Sequence, residues 1–354
     1  MQTVNITING RAIKAKAGQT VLEAANEAGV KIPTLCHHPA LEPIGACRMC
    51  LIELSEKQPL HPSCTYPVSE GLNVVTHSER VEEARRFVLN LILSDHPLDC
   101  MTCERTGNCE LQDLAYQYGI KETLFPGKKH EYPIDTSNPF YERDYEKCIL
   151  CRRCVRACNE INGVEAIGIN ERGWNSKVGA AFDDLMQNST CEFCGMCVEV
   201  CPTGALHPNL GRGQGRPWEI EKVAITCPYC GVGCQYYLHV KDGRILGTSS
   251  KWDAPANHGS LCVKGRFGWD FVQHPDRLTK PLIRREKGGE LEEASWDEAL
   301  DLVAKRFTEI KEKYGSRAFG ALASAKCTNE ENYAMQKFTR AVIGTNSVDH
   351  CARL

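Results

Sequence analysis

Cysteine dominates the chemistry available to this chain. It has 21 cysteines in 354 residues, and most fall in runs with two, three or five residues between them. Thiolates aimed from short loops hold iron–sulfur clusters, usually four ligands to a cluster, or zinc. Two runs repeat one another, Cys148-x2-Cys151-x2-Cys154-x3-Cys158 and Cys191-x2-Cys194-x2-Cys197-x3-Cys201. A third set is Cys36-x10-Cys47-x2-Cys50-x13-Cys64. A fourth mixes one imidazole with three thiols, His96-x3-Cys100-x2-Cys103-x5-Cys109. A fifth is Cys227-x2-Cys230-x3-Cys234-x27-Cys262. Disulfides are the usual use of many cysteines in small secreted chains. This chain is long, its cysteine count is odd, and its start, MQTVNITING, lacks the basic flank and apolar core of a signal peptide.

The repeated runs carry the strongest signal. They follow the bacterial two-cluster spacing, in which the fourth cysteine of each run serves the other cluster. Cys148, Cys151, Cys154 and Cys201 should then hold one [4Fe-4S]. Cys191, Cys194, Cys197 and Cys158 should hold a second. Pro202 fits the usual Cys-Pro ending, whereas Cys158 is followed by Asn159. Zinc knuckles favour C-x2-C pairs separated by a spacer, so two four-cysteine runs argue against zinc. Taken alone, the set at 36–64 also fits zinc or buried thiols, and its spacing differs from the plant-type pattern. The set at 96–109 is likewise open to zinc, which accepts three cysteines and one histidine. His37 and His38 read as loop or second-sphere residues, because four cysteines complete that site without them. Cys327 and Cys351 are left over. Cys327 follows a predicted strand, where a doubly wound fold places a ligand loop, but a buried structural thiol fits it equally.

The elements that must position these ligands are legible in outline. Val4, Ile6 and Ile8 alternate, Asn9-Gly10 offers a type I′ hairpin turn, and 12–16 returns. Thr20 and Glu23 form a capping box for a helix ending at Gly29. With strands near 51–54 and 72–76 this is a ubiquitin-like grasp. Residues 81–93 read as a helix with Val81, Ala84, Val88 and Leu91 on one face. Residues 121–145 read as a connecting loop and 211–217 as a linker. A new domain opens near Glu221. Capping boxes at Ser295–Glu298 and Thr328–Glu331 flank a short strand at 318–323, the α-β-α start of a doubly wound layer. One strand with two helices cannot cover its own faces, so this end reads as an interruption.

The expected fold class is an α+β multidomain iron–sulfur protein. Its expected parts, named as the resemblances given next imply, are 1–79, a [2Fe-2S] ferredoxin-like β-grasp domain; 80–120, a His-ligated [4Fe-4S] module; 139–210, a two-[4Fe-4S] ferredoxin domain; 220–276, a pterin-oxidoreductase [4Fe-4S] domain; and 277–354, an incomplete molybdopterin-oxidoreductase α/β domain. Composition agrees, at 42% hydrophobic and 25% charged. The net charge of −3 gives no support to a nucleic-acid or anionic-membrane role. No apolar run approaches the roughly 20 residues of a membrane helix.

The set at 36–64 resembles the [2Fe-2S] domain at the front of several multi-cluster oxidoreductases. The set at 96–109 resembles the His-ligated module of iron-only hydrogenases and respiratory complex I. Cys227 to Cys262, with Leu261-Cys262-Val263-Lys264-Gly265-Arg266, resembles the N-terminal domain of molybdenum or tungsten bis-pterin oxidoreductases. In that family the lysine two residues past the fourth cysteine lies between cluster and pterin, the place of Lys264; the alternative for Lys264 is a solvated surface lysine. All four parts in this order are similar to soluble, cytoplasmic formate dehydrogenase catalytic subunits linked to NAD(P) or ferredoxin. The tail is too, from Asn329-Glu330-Glu331-Asn332-Tyr333 through Gly344-Thr345-Asn346-Ser347-Val348-Asp349-His350-Cys351-Ala352-Arg353-Leu354.

That resemblance implies one [2Fe-2S], four [4Fe-4S] and, in the full-length enzyme, Mo or W bis-(molybdopterin guanine dinucleotide). It implies interconversion of formate and CO2, with electrons leaving past Lys264 to the Cys227 cluster. They would then run through the two ferredoxin clusters to the His96 and Cys36 clusters and a partner. Flavin or NAD(P)H-binding subunits, hydrogenase-type electron-transfer subunits or ferredoxin are the implied partners, in a hetero-oligomer. In that family the metal-ligating selenocysteine or cysteine would follow Leu354; the expectation is the selenocysteine type, with this chain cut just before that position, so no catalytic residue falls in this chain and the chain alone should not oxidise formate. The alternatives are a stand-alone electron-transfer subunit, or the iron–sulfur subunit of an iron-only hydrogenase or complex I-like assembly.

Overall fold

The computed structural model describes residues 2–55 and 57–351. Residues 352–354 of the tail motif lie outside the described residues, and Cys351 is described by its backbone alone. The chain divides into two compact units, Met1–Ile220 and Glu221–Leu354.

The first unit opens with β1 (Thr3–Ile8) and β2 (Arg11–Lys16), paired antiparallel. Asn9 and Gly10 both have positive φ, 53° and 79°, which the type I′ turn demands. Thr20 caps α1 (Val21–Glu27), and Glu23 returns the bond to the Thr20 amide. Next come β3 (Leu51–Ile52) and β4 (His61–Pro62), then β5 (Asn73–Val74), which lies parallel to β1 in a sheet ordered β2-β1-β5. Ile8, Val21, Leu22, Ile52 and Val74 are fully buried between sheet and helix. Each such aliphatic contributes about 1.5–3 kcal/mol of transfer free energy.

α2 (Glu79–Asp95) is longer than the apolar spacing indicates, and its buried face differs. Val81, Leu89 and Leu93 are buried together with Arg85 and Asn90, while Leu91 is exposed. Asn90 is satisfied inside, bonding the Arg86 carbonyl and the Leu124 amide. Polar residues with partners can thus occupy a face that hydrophobicity alone assigns elsewhere. α3 (Glu110–Gln117) packs Leu111 and Leu114 against Leu89 and Leu93.

Residues 121–145 are not loop throughout, because β6 (Tyr141–Arg143) pairs antiparallel with a distant strand, β9. Between them lie α4 (Arg153–Arg156), β7 (Gly168–Asn170), β8 (Lys177–Gly179) and α5 (Met196–Glu199), before β9 (Leu206–Pro208) itself. The 211–217 stretch, expected to be a linker, is tied down. Arg212 pairs with Glu142 at 2.5 Å, and Arg216 donates to the carbonyls of Met101 and Cys103.

The second unit starts with an antiparallel meander of β10 (Glu221–Thr226), β11 (Gln235–Lys241) and β12 (Arg244–Ser250). α6 (Val263–Phe267) follows, then a small hairpin of β13 (Leu282–Ile283) and β14 (Glu292–Glu293). α7 (Trp296–Tyr314) is capped by Ser295, but the Glu298 carboxylate is taken by Arg285 at 2.7 Å. β15 (Ala321–Ser324) leads to α8 (Asn329–Phe338), whose Thr328–Glu331 capping box is complete. The chain then adds an element that apolar patterning does not announce. β16 (Val348–Cys351) pairs parallel with β15, so this end has two strands rather than one.

Candidate metal centres

The set at 36–64 sits on the loop after α1 and on the β3–β4 hairpin. Cys36, Cys50 and Cys64 are buried, and Cys47 is half-buried. The thiols form two close pairs, Cys36 hydrogen-bonded with Cys47 and Cys50 with Cys64. In each pair this bond pulls one thiol down, Cys36 and Cys50, and raises its partner. Two thiols on each of two irons is the arrangement a [2Fe-2S] rhomb requires, so the donor set fits that group. Gly45 and Arg48 turn through positive φ here, and the Cys47 amide points at Cys36 Sγ at 3.4 Å. His37 and His38 lie beside the site, and burial lowers both below the ordinary imidazole value.

The His96 set is held by two helix ends. His96 terminates α2, Cys109 precedes the first turn of α3, and Cys100 and Cys103 lie in the turn between. His96, Cys100 and Cys109 line a cavity of about 500 Å³ walled by Leu93 and Leu111. His96 Nδ1 is buried with no hydrogen-bond partner, and burial lowers the ring to about 4, so the imidazole is neutral at physiological pH. A neutral ring with an unpartnered buried nitrogen is the state a metal ligand needs.

The two repeated runs adopt one backbone. Leu150 and Phe193 have positive φ at matching places, as do Arg152 and Gly195, and α4 and α5 follow at the same offset. These turns bring the thiols together across the repeat. Cys148, Cys151 and Cys154 act electrostatically on one another and on Cys201. Cys191, Cys194 and Cys197 do the same, with Cys158 acting on Cys191. Burial pushes Cys148 up to about 11, and Cys151 and Cys197 up to about 12. Thiols raised this far are protonated at physiological pH, so metal binding must displace their protons. Donors already point at sulfur: Asn162 Nδ2 to Cys194 at 2.7 Å, the Ala166 amide to Cys158 and the Phe193 amide to Cys191.

In the second unit Cys227 follows β10, and Cys230 and Cys234 lie in the turn to β11. Cys262 caps α6 and is exposed. The four thiols act on one another as a group. Lys264, on the first turn of α6, is exposed. Cys327 is half-buried just past β15. Among the described residues no three ligating side chains converge on a single-ion position. In a four-iron cluster each thiolate binds its own iron, so the four need not meet at a point.

Sequence reasoning missed the arginines that surround the first unit's thiols. Arg153 makes a bidentate pair with Glu110 of α3, at 2.5 and 2.7 Å. Arg156 donates to the carbonyls of Glu42 and Cys36, and Arg105 to that of Cys201. Arg143, Arg153 and Arg156 are each less than 9% exposed. Two of them stand inside the run Cys151-Arg152-Arg153-Cys154-Val155-Arg156, and that density of cations between ligands was the available signal.

Five family models match in succession. They are the 2Fe-2S iron-sulfur cluster binding domain at 1–79 and the NADH-ubiquinone oxidoreductase-G iron-sulfur binding region at 85–123. The ferredoxin-like domain of NADH-quinone oxidoreductase subunit 3 matches 138–207. The molybdopterin oxidoreductase Fe4S4 domain matches 220–274, and molybdopterin oxidoreductase matches 277–354. Over 99% of its length the chain is 39% identical to an NADH-quinone oxidoreductase subunit of Rhizobium meliloti and 36% identical to the alpha subunit of NADPH-Fe(3+) oxidoreductase of Geobacter sulfurreducens. Staphylococcus aureus chains whose names propose a formate dehydrogenase are 34% identical over 98% of it. The chain spans about 40% of the length of these relatives. A crystal structure of NAD+-reducing [NiFe]-hydrogenase in the H2-reduced state aligns at TM-score 0.57 and 34% identity, covering 60% of this chain and 90% of that one. Among the described residues no helix is long and apolar enough to cross a membrane.

Proposed function

We propose, from the premise that this is an iron–sulfur oxidoreductase chain with [2Fe-2S], [4Fe-4S] and molybdopterin-oxidoreductase domains, that it conducts electrons between a pterin-bound metal and a partner subunit. The crossed grouping of the repeated runs carries this reading: Cys158 of the first run lines one pocket with Cys191, Cys194 and Cys197 of the second, and Cys201 of the second bears on Cys148, Cys151 and Cys154. The Cys36 set takes the [2Fe-2S]; the His96 set, the two crossed quartets and the Cys227 set each take a [4Fe-4S]. Clusters held there exchange single electrons, and a molybdenum or tungsten pterin supplies the two-electron chemistry.

The chain's own residues set the conditions. Buried thiols exclude water, and the Ala166, Phe193 and Asn162 N–H groups donate to sulfur. Arg153 places positive charge near Cys151 and Arg156 near Cys36. Hydrogen bonds, burial and nearby charge are the levers by which protein sets a cluster's potential. Lys264 stands on α6 beside the Cys227 set, where its ammonium would face pterin.

For the whole protein we assign formate–CO2 interconversion, supported by the tail motif from Asn329 and by the relatives whose names propose that activity. A nicotinamide-linked oxidoreductase that does not use formate is the second reading, favoured by the NADH- and NADPH-linked names of the other relatives. Both need a flavin or NAD(P)H-binding partner, or ferredoxin. Metal analysis of the chain tests the electron-carrying role. It should return about 18 irons, from one two-iron and four four-iron clusters; stoichiometric zinc with little iron would overturn it. Formate-dependent reduction of NAD(P)+ or ferredoxin by the full-length protein separates the two readings.

A further inference from the structure

Arg143 ends β6 and is 3% exposed. Its Nη1 donates to the Val178 carbonyl at 2.9 Å and lies 3.5 Å from the Tyr145 hydroxyl. Its Nε and Nη2 are buried with no hydrogen-bond partner. Arg153 has Glu110, but no carboxylate pairs with Arg143 among the described residues. A buried guanidinium without a counter-charge is too costly to be incidental.

Its charge bears on cysteines of both runs. Arg143 acts on Cys148 and Cys154 of one quartet and on Cys191 and Cys197 of the other. Strand alternation puts Tyr141 on the same face of β6. Tyr141 lines the pocket formed by Cys158, Cys191, Cys194 and Cys197. The strand therefore carries Arg143 alongside that pocket, with its charge bearing on Cys154 of one run and Cys197 of the other.

We propose that Arg143 is a positioning residue shared by both quartets, a positive charge that offsets part of the negative charge of their two clusters and shifts the two potentials in the same direction. This rests on the reading that each quartet holds a [4Fe-4S]. Four thiolates and four sulfides outweigh the iron charge, so each cluster is anionic and becomes more so when reduced. A fixed cation in low dielectric favours the reduced form of both. At the Cys36 site the nearby cation is Arg156, which donates to the Cys36 carbonyl.

The test uses the full chain carrying its clusters, titrated by EPR against potential. Iron and sulfide are counted first, and a wild-type chain without four-iron signals would fail the cluster reading rather than the role of Arg143. In Arg143→Met two four-iron potentials should fall together while the [2Fe-2S] potential stays, and Arg143→Lys should restore both. A shift in one cluster only, or none with iron intact, overturns the proposal. If Arg143→Met loses iron, the loss must be confined to both quartets and recovered in Arg143→Lys. Loss from a single quartet, from every site alike, or equally in the lysine variant overturns it.

Discussion

At Gly204 a Cβ would lie 2.6 Å from Cys103 Sγ and 3.4 Å from the Lys147 side chain. Real Cβ atoms do not approach so closely, so the two-cluster segment passes the His96 module only because this residue has no side chain. The Glu110 amide bonding the Pro202 carbonyl at 3.0 Å fixes the same approach. Gly204→Ala should displace Cys103 and cost the chain about four irons, those of the His96 site. Iron analysis beside the [2Fe-2S] spectrum checks this, and full retention of iron would refute it. The grouping of the thiols was legible in the sequence because short spacings make a cysteine loop a local object. Gly204 and Arg143 were not legible, because each matters only through residues far along the chain that the fold brings to it.

At the scale of elements, the caps and turns were legible where one segment supplies both partners. Asn9-Gly10, Thr20–Glu23 and Thr328–Glu331 all form as read. Ser295–Glu298 forms only half its box, because Arg285 competes for the carboxylate. The β6–β9 pair was invisible, since its strands are three residues each and lie more than 60 residues apart. His207 of β9 is buried, with Nε2 3.3 Å from Glu142 of β6. Burial, reinforced by Arg212, lowers its pKa below the ordinary 6.5 despite the opposing pull of Glu142. The folded state therefore binds fewer protons than the unfolded one below that value, and stability falls as pH drops below about 6.5. Urea midpoints compared at pH 7.5 and pH 5.5 should show a smaller pH effect in His207→Gln than in the wild type. Equal effects would place the proton uptake elsewhere.

For the molecule as a whole, the division falls at Ile220 and Glu221, close to where alternating apolar residues begin. The two units are stabilised differently. The first has an apolar core in its β1–β5 part, and its later part is laced by Arg153–Glu110, Arg212–Glu142 and the Arg216 bonds to Met101 and Cys103. Every one of those ties lies within Met1–Ile220, as do the thiols of the Cys36, His96 and two crossed sets. Among the described residues the second unit has a smaller core, built around Cys227, Tyr236 and Leu261, and its long helix α7 leaves Leu300 and Val303 exposed. A fragment ending at Ile220 should therefore fold and load its clusters unaided, holding about 14 irons, with the same [2Fe-2S] potential as the longer chain. A fragment that retains only the two irons of the Cys36 site would show that the remaining three sites depend on residues beyond Ile220. The independence of the first unit would then be lost, even though every ligand it needs lies within it.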